Sequence, residues 1–163
     1  MKPTRSLVAG LCGLVFAGSV AAQLKAPREL AQPPAPAPAA APASSPETTE
    51  KENAGRLAAQ GWLSLLDRRD WGTAWEASSA VFRSTVPLAT WMDGIPKVRE
   101  SAGNLVERAP SEVMFNTKLE GRPDGEYVSV LFASRFDKEE IKEIVTTVRE
   151  ADGRWRVTGY STR

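Results

Sequence analysis

From Ala54 onward the apolar and small residues fall three and four apart: Ala54, Leu57, Ala58, Gly61, Trp62, Leu65 and Leu66. Lys51, Glu52, Arg56 and Gln60 take the opposite side. That spacing predicts an amphipathic helix running from about Thr49 to the DRRD sequence at Asp67–Asp70. Asp70 is suited to N-cap the next helix, in which Trp71, Ala74, Trp75 and Ser78 share a face. SSAVFRSTV continues as helix or a helical turn. Pro87 suits the entry of a third helix, PLATWMDGIPKVRESAG, with Gly103 at its end. Gly94 and Pro96 should interrupt or kink that helix. Beyond Gly103 the period shortens to two. SEVMFNTKL, EYVSVLFASRF, IKEIVTTVRE and WRVTGY read as strands separated by GRPDG, DKEE and ADGR. Helices followed by strands predict an α+β domain, with three N-terminal helices packed on one face of an antiparallel sheet of about four strands.

The residues before this pattern differ in kind. MKPTRS is basic, and LVAGLCGLVFAGSVAA is apolar with Val20 and Ala22 before Gln23. This is the layout of a signal peptide over 1–22, cleaved between Ala22 and Gln23. The apolar run is short for a membrane span, which takes about 20 residues; an uncleaved anchor is the alternative. Residues 23–49 are dense in Pro and Ala and contain no aromatic residue, the composition of a spacer that cannot bury enough surface to fold. A single domain is expected over 50–163. The expected location is periplasmic or secreted, or the inner membrane facing the periplasm if the N-terminal segment is retained.

Charge and two absences narrow the chemistry. From Glu50 onward 17 basic residues face 18 acidic ones, so no basic stripe exists for nucleic acid. The chain has no histidine, which removes His-based acid–base catalysis, Ser-His-Asp triads and His-ligated metals. Its one cysteine, Cys12, falls in the segment expected to be removed. The reading is of a domain without cofactor or metal.

AAQGWLSLLDRRDWGTAWEASSAVFRSTVPLATWMDGIPKVRESAG, GEYVSVLFASRF, EIVTTV and DGRWRVTGY resemble a bacterial exported family, domain-of-unknown-function family 4019. The resemblance covers roughly Ala54 to Tyr160. It implies a cone-like fold similar to nuclear transport factor 2, or cystatin-like, in which a curved sheet wraps a long helix. It implies no activity.

A cone fold offers space between sheet and helices, and five residues are candidates to line it. Glu143 is two residues from Val145 and four from Thr147 along one strand face, so it is expected to point inward, or else to pair with Arg83, Arg99 or Arg135. Arg83 offers a fork-shaped guanidinium to an anionic ligand. Trp75, Trp91 and Tyr127 suit a rim, and equally a core. Asp67 and Asp70 are accounted for by capping. The function expected is a ligand- or protein-binding module of the cell envelope, its partner a small molecule or an envelope protein, with a homodimer through the outer face of the sheet among the options. A carboxylate-dependent isomerase or hydrolase is the alternative; the missing histidine weighs against it.

Overall fold

The computed structural model describes residues 45–163; the expected signal peptide and most of the spacer lie outside the described residues. Four helical segments precede four strands: α1 Pro46–Asp67, α2 Trp71–Glu76, α3 Ala80–Thr85, α4 Leu88–Ala102, β1 Leu105–Asn116, β2 Tyr127–Phe136, β3 Glu140–Arg149 and β4 Trp155–Thr162. The strands form one antiparallel sheet in the order β1-β2-β3-β4. This is the α+β arrangement expected from the change of period. Among the described residues no helix is long and apolar enough to cross a membrane.

Helix α1 starts upstream of the composition change at Thr49. Ser45 accepts the backbone N–H of Thr48 at 3.2 Å, and Pro46 opens the first turn, where its missing N–H costs nothing. The buried stripe of α1 is Gly55, Ala59, Trp62, Leu63 and Leu66. It is rotated from the expected face, and Leu57 is 60% exposed. The sheet decides this. A Cβ at Gly55 would sit 2.4 Å from Val128 Cβ and 2.9 Å from Thr147 Oγ1, so only glycine permits α1 to lie this close to β2 and β3.

The expected single segment after Asp70 is two short helices, α2 and α3. Asp70 caps α2 through Thr73 N–H, and Ser79 caps α3 through Phe82 N–H. The expected break at Gly94 and Pro96 does not occur; α4 runs through both. Trp91, Ile95, Arg99 and Ala102 form a continuous buried stripe along it, and that packing outweighs the local cost of Pro96. Gly103 ends α4 with φ 90°, a backbone state that favours glycine.

Strand β1 begins six residues earlier than SEVMFNTKL suggests. It is an edge strand, so Pro110 needs no ladder partner for an N–H, and the register shifts between Pro110 and Glu112. Val128, Val130 and Phe132 of β2 and Val145 of β3 face the helices, where they meet Ala59, Leu63 and Leu66 in one core.

Candidate functional site

Every indole N–H in the helical layer except that of Trp71 goes to a backbone carbonyl. Trp62 donates to Ala74 O at 2.8 Å, Trp75 to Val86 O at 2.8 Å and Trp91 to Trp71 O at 2.7 Å. Trp62 lies 5.7 Å from Trp91 and 5.4 Å from Tyr160 between ring centroids, and Phe82 meets Trp91 edge-on at 5.5 Å. Aromatic rings thus fasten the short helices to the core through both packing and hydrogen bonds.

Below this cluster, four charged side chains meet. Asp67 comes from the end of α1, Arg99 from the last turn of α4, Arg108 from β1 and Glu143 from β3. Glu143 is fully buried; Arg99 and Arg108 are 4% and 9% exposed. Arg99 bridges the two carboxylates, one nitrogen on Glu143 Oε1 and another on Asp67 Oδ1. Arg108 does the same, with Nε 2.8 Å from Glu143 Oε2 and Nη1 2.6 Å from Asp67 Oδ2. Ser134 of β2 donates to Glu143 Oε2, and Tyr160 of β4 donates to Oε1 at 2.9 Å. The Arg99 guanidinium also stacks 4.9 Å from the Phe136 ring centre.

Two guanidiniums therefore match two carboxylates in a largely buried site, where Glu143 is fully enclosed and Asp67 is 19% exposed. Burial pushes the Arg108 pKa down, but the hydrogen bond to Asp67 and the fields of Glu143 and Asp67 outweigh it, and the net shift is upward. Burial, reinforced by the Glu143 charge, pushes the Tyr160 phenol well above its ordinary value. Tyr160 thus stays a neutral donor. Among the described residues no buried side-chain polar atom lacks a partner. The adjoining cavity, lined by Asp67, Trp71, Arg99, Asn104, Leu105 and Phe136, has a volume of about 20 Å³, room for one water. A general acid or base needs an oxygen within reach of a substrate. Both oxygens of Glu143 are already taken by this chain.

The five sequence candidates are dispersed. Glu143 does point inward, with Arg99 and Arg108 as partners. Arg83 donates to the carbonyls of Glu76 and Ser78, closing the end of α2. Trp75 and Trp91 hold the carbonyls named above, and Tyr127 donates to Pro123 O at 2.7 Å. Asp67 is a corrected expectation: Asp70 serves as the cap, while Asp67 carries two ion pairs. Arg108 and Ser134 went unnoticed in the sequence. No group of side chains suited to hold a metal occurs among the described residues.

The larger space is outside. A groove of about 690 Å³ lies at one end of the sheet, bordered by Glu107, Arg135, Glu140, Lys142 and Arg163, with Ala109 and Ala133 in its floor. A search of curated proteins finds no match to the chain. A family model does match, over residues 58–160, from the middle of α1 to β4. With more than half its length covered, the chain belongs to the family described as Protein of unknown function (DUF4019).

Proposed function

We propose that the chain is exported and acts as a non-catalytic, protein-binding module of the bacterial cell envelope, working through the open face of its sheet. The observation that carries this is where the free space lies. The buried ion pairs leave about 20 Å³ beside them, while the groove on the sheet measures about 690 Å³. A small ligand is held in a cleft of about 300–1,000 Å³ that covers most of its surface. Among the described residues the cavity beside the ion pairs is too small for such a ligand, and the groove, although of ligand size, is open and bordered by charges of both signs, which suits a protein surface better. Export is supported by the basic start, the apolar run and the Val20-Ala21-Ala22 step before Gln23. Removal at that point leaves a chain without any thiol, a composition that suits an oxidising compartment. A cone-like fold related to nuclear transport factor 2 fits the long α1 laid against all four strands.

Two measurements test this. N-terminal sequencing of the protein recovered from its host should begin at Gln23; a start at Met1 would replace the free module with an anchored one. A photo-crosslinking residue at Ala133 should capture protein in the intact envelope, whereas one at Gly61, exposed on α1, should not. Equal yields at the two positions, or a small molecule retained in native mass spectrometry, would refute the surface reading.

A further inference from the structure

Among the described residues the four helices pack on one face of the sheet and none covers the other. Its outward positions form rows across the strands. One row is Glu112, Leu131, Ile144 and Ser161; the next is Ala109, Ala133, Lys142 and Arg163; the last is Glu107, Arg135 and Glu140. Side chains alternate along a strand, so Leu131 and Ile144, which sit between the buried positions of β2 and β3, project from this bare face. The exposed face of an antiparallel sheet is ordinarily polar. Here Leu131 and Ile144 place an apolar pair at its centre, between the Ser129–Thr146 row and the row that carries Lys142. On the outer strands the charges are sorted: β1 carries Glu112 and Glu107, the latter paired with Arg135 of the same chain, and β4 carries Arg163 and Arg156, the latter paired with Glu150 and Asp152. Among the described residues Glu112, Lys142 and Arg163 make no ion pair.

We propose that the occupant of this face is a second copy of the chain, related by a two-fold axis that runs parallel to the strands, between β2 and β3. The proposal rests on the surface-binding reading above and names its partner. The sorting of charge selects the axis. With this axis β2 lies over the partner's β3 at the same height, and β1 over the partner's β4. Leu131 then meets the partner's Ile144, and Arg135 meets the partner's Glu140. The partner's Arg163 falls over Ala109, with Glu107 and Glu112 on either side. The other face-to-face axis, perpendicular to the strands, lays acidic β1 on acidic β1 and basic β4 on basic β4. Each contact occurs twice, as an isologous interface requires. The size is adequate: strands of about ten residues at about 3.3 Å each, four of them about 4.8 Å apart, give a projected footprint of roughly 600 Å². With side-chain relief this is comparable to the about 800 Å² per partner of a standard interface. Packed sheets of this kind sit about 10 Å apart.

The test uses the full chain as recovered from its host, in sedimentation equilibrium at micromolar concentration. The wild type should have twice the monomer mass. Ile144→Lys should be monomeric, with an unchanged far-ultraviolet spectrum. Arg135→Glu and Glu140→Arg should each be monomeric alone, because each places like charges across the two-fold. Mixed in equal amounts, they should form a heterodimer, in which both cross-pairs are again opposite in sign. A loss of stability within one chain cannot be repaired by mixing, so a mixture that stays monomeric overturns the proposal. A monomeric wild type overturns it too. If Ala133 still captures another protein in the envelope, the surface-binding reading survives that outcome; if it captures nothing, both fall.

Discussion

Two glycines in α1 should respond in opposite directions to the same substitution. Gly61 is exposed, and a Cβ there would have nothing within 4 Å. Gly61→Ala removes unfolded-state freedom and an unfavourable helix propensity, a gain of about 0.8–1 kcal/mol. Gly55→Ala gains the same amount but brings a carbon to 2.4 Å from Val128 Cβ. Carbon–carbon contacts are optimal near about 3.5–4.0 Å, so helix and sheet must part by more than about 1 Å. Neither Val128 Cβ nor the helix backbone can turn aside. Overpacking of this kind costs about 1–3 kcal/mol, and a rigid contact belongs at the upper end, leaving a net loss of about 2 kcal/mol. For a domain between about 100 and 150 residues 1 kcal/mol moves Tm by about 3–6 °C. Thermal unfolding followed by circular dichroism should therefore show Gly61→Ala melting about 3–6 °C higher than wild type and Gly55→Ala about 6–12 °C lower. If Gly55→Ala melts at or above the wild-type temperature, the close approach of α1 to β2 is wrong, and with it the account of why α1 is rotated.

Glu143→Ala should cost about 3–5 kcal/mol, because it leaves two buried guanidiniums sharing Asp67 alone; urea unfolding measures it, and a loss under about 1 kcal/mol would contradict the closed network. Trp91→Phe keeps most of the ring but removes the indole hydrogen bond to the Trp71 carbonyl, a loss of about 0.5–1.5 kcal/mol by the same assay. Acid sensitivity should come in part from the surface. Hydrogen bonds from Lys51 and then Arg149 hold the Glu126 carboxyl below its ordinary range, and Arg156 and the Arg154 backbone do so for Asp152. Both folded values are depressed, so their stabilisation is fully present above the ordinary carboxylate range and is lost as pH falls through the lowered values. The Glu126→Gln, Asp152→Asn double variant should flatten the acid limb of a Tm-against-pH curve; an unchanged limb would show that these pairs do not contribute.

Periodicity carried most of the architecture. The switch from 3.6 to 2 located the sheet, and Asp-Gly and Pro-Asp-Gly located its turns. What it missed has identifiable causes. Ser45-Pro46-Glu47 is a helix start, but it lies inside a Pro/Ala-rich run whose composition hides it. The face of α1 could not be chosen from small residues alone, because the deciding contact comes from Val128, far along the chain. Pro96 reads as a break until the stripe Trp91, Ile95, Arg99 is counted through it. The ion-pair site was partly legible. Gly55, Ala59, Leu63 and Asp67 are spaced by four, as are Trp91, Ile95 and Arg99, and Glu143 alternates with Val145 and Thr147. Each buried stripe therefore carries one charged residue, and charges on apolar stripes need partners. Arg108 gave no such signal, because it stands among the charged residues of an edge strand.

The joining of Asp67, Arg99, Arg108 and Glu143 also bears on the order of events in time. Its members are 35 to 44 residues apart along the chain in three of its pairs, and they come from four different elements. Contacts so distant in sequence require most of the chain to be in place before they form. Contacts that form after the folding barrier slow unfolding more than they speed folding, and the unfolding limb of Glu143→Ala chevron kinetics shows whether these are among them. Weakening them should steepen the escape of the native state while leaving its rate of assembly almost untouched. The domain would then owe its lifetime, more than its speed of formation, to four charges held largely out of solvent.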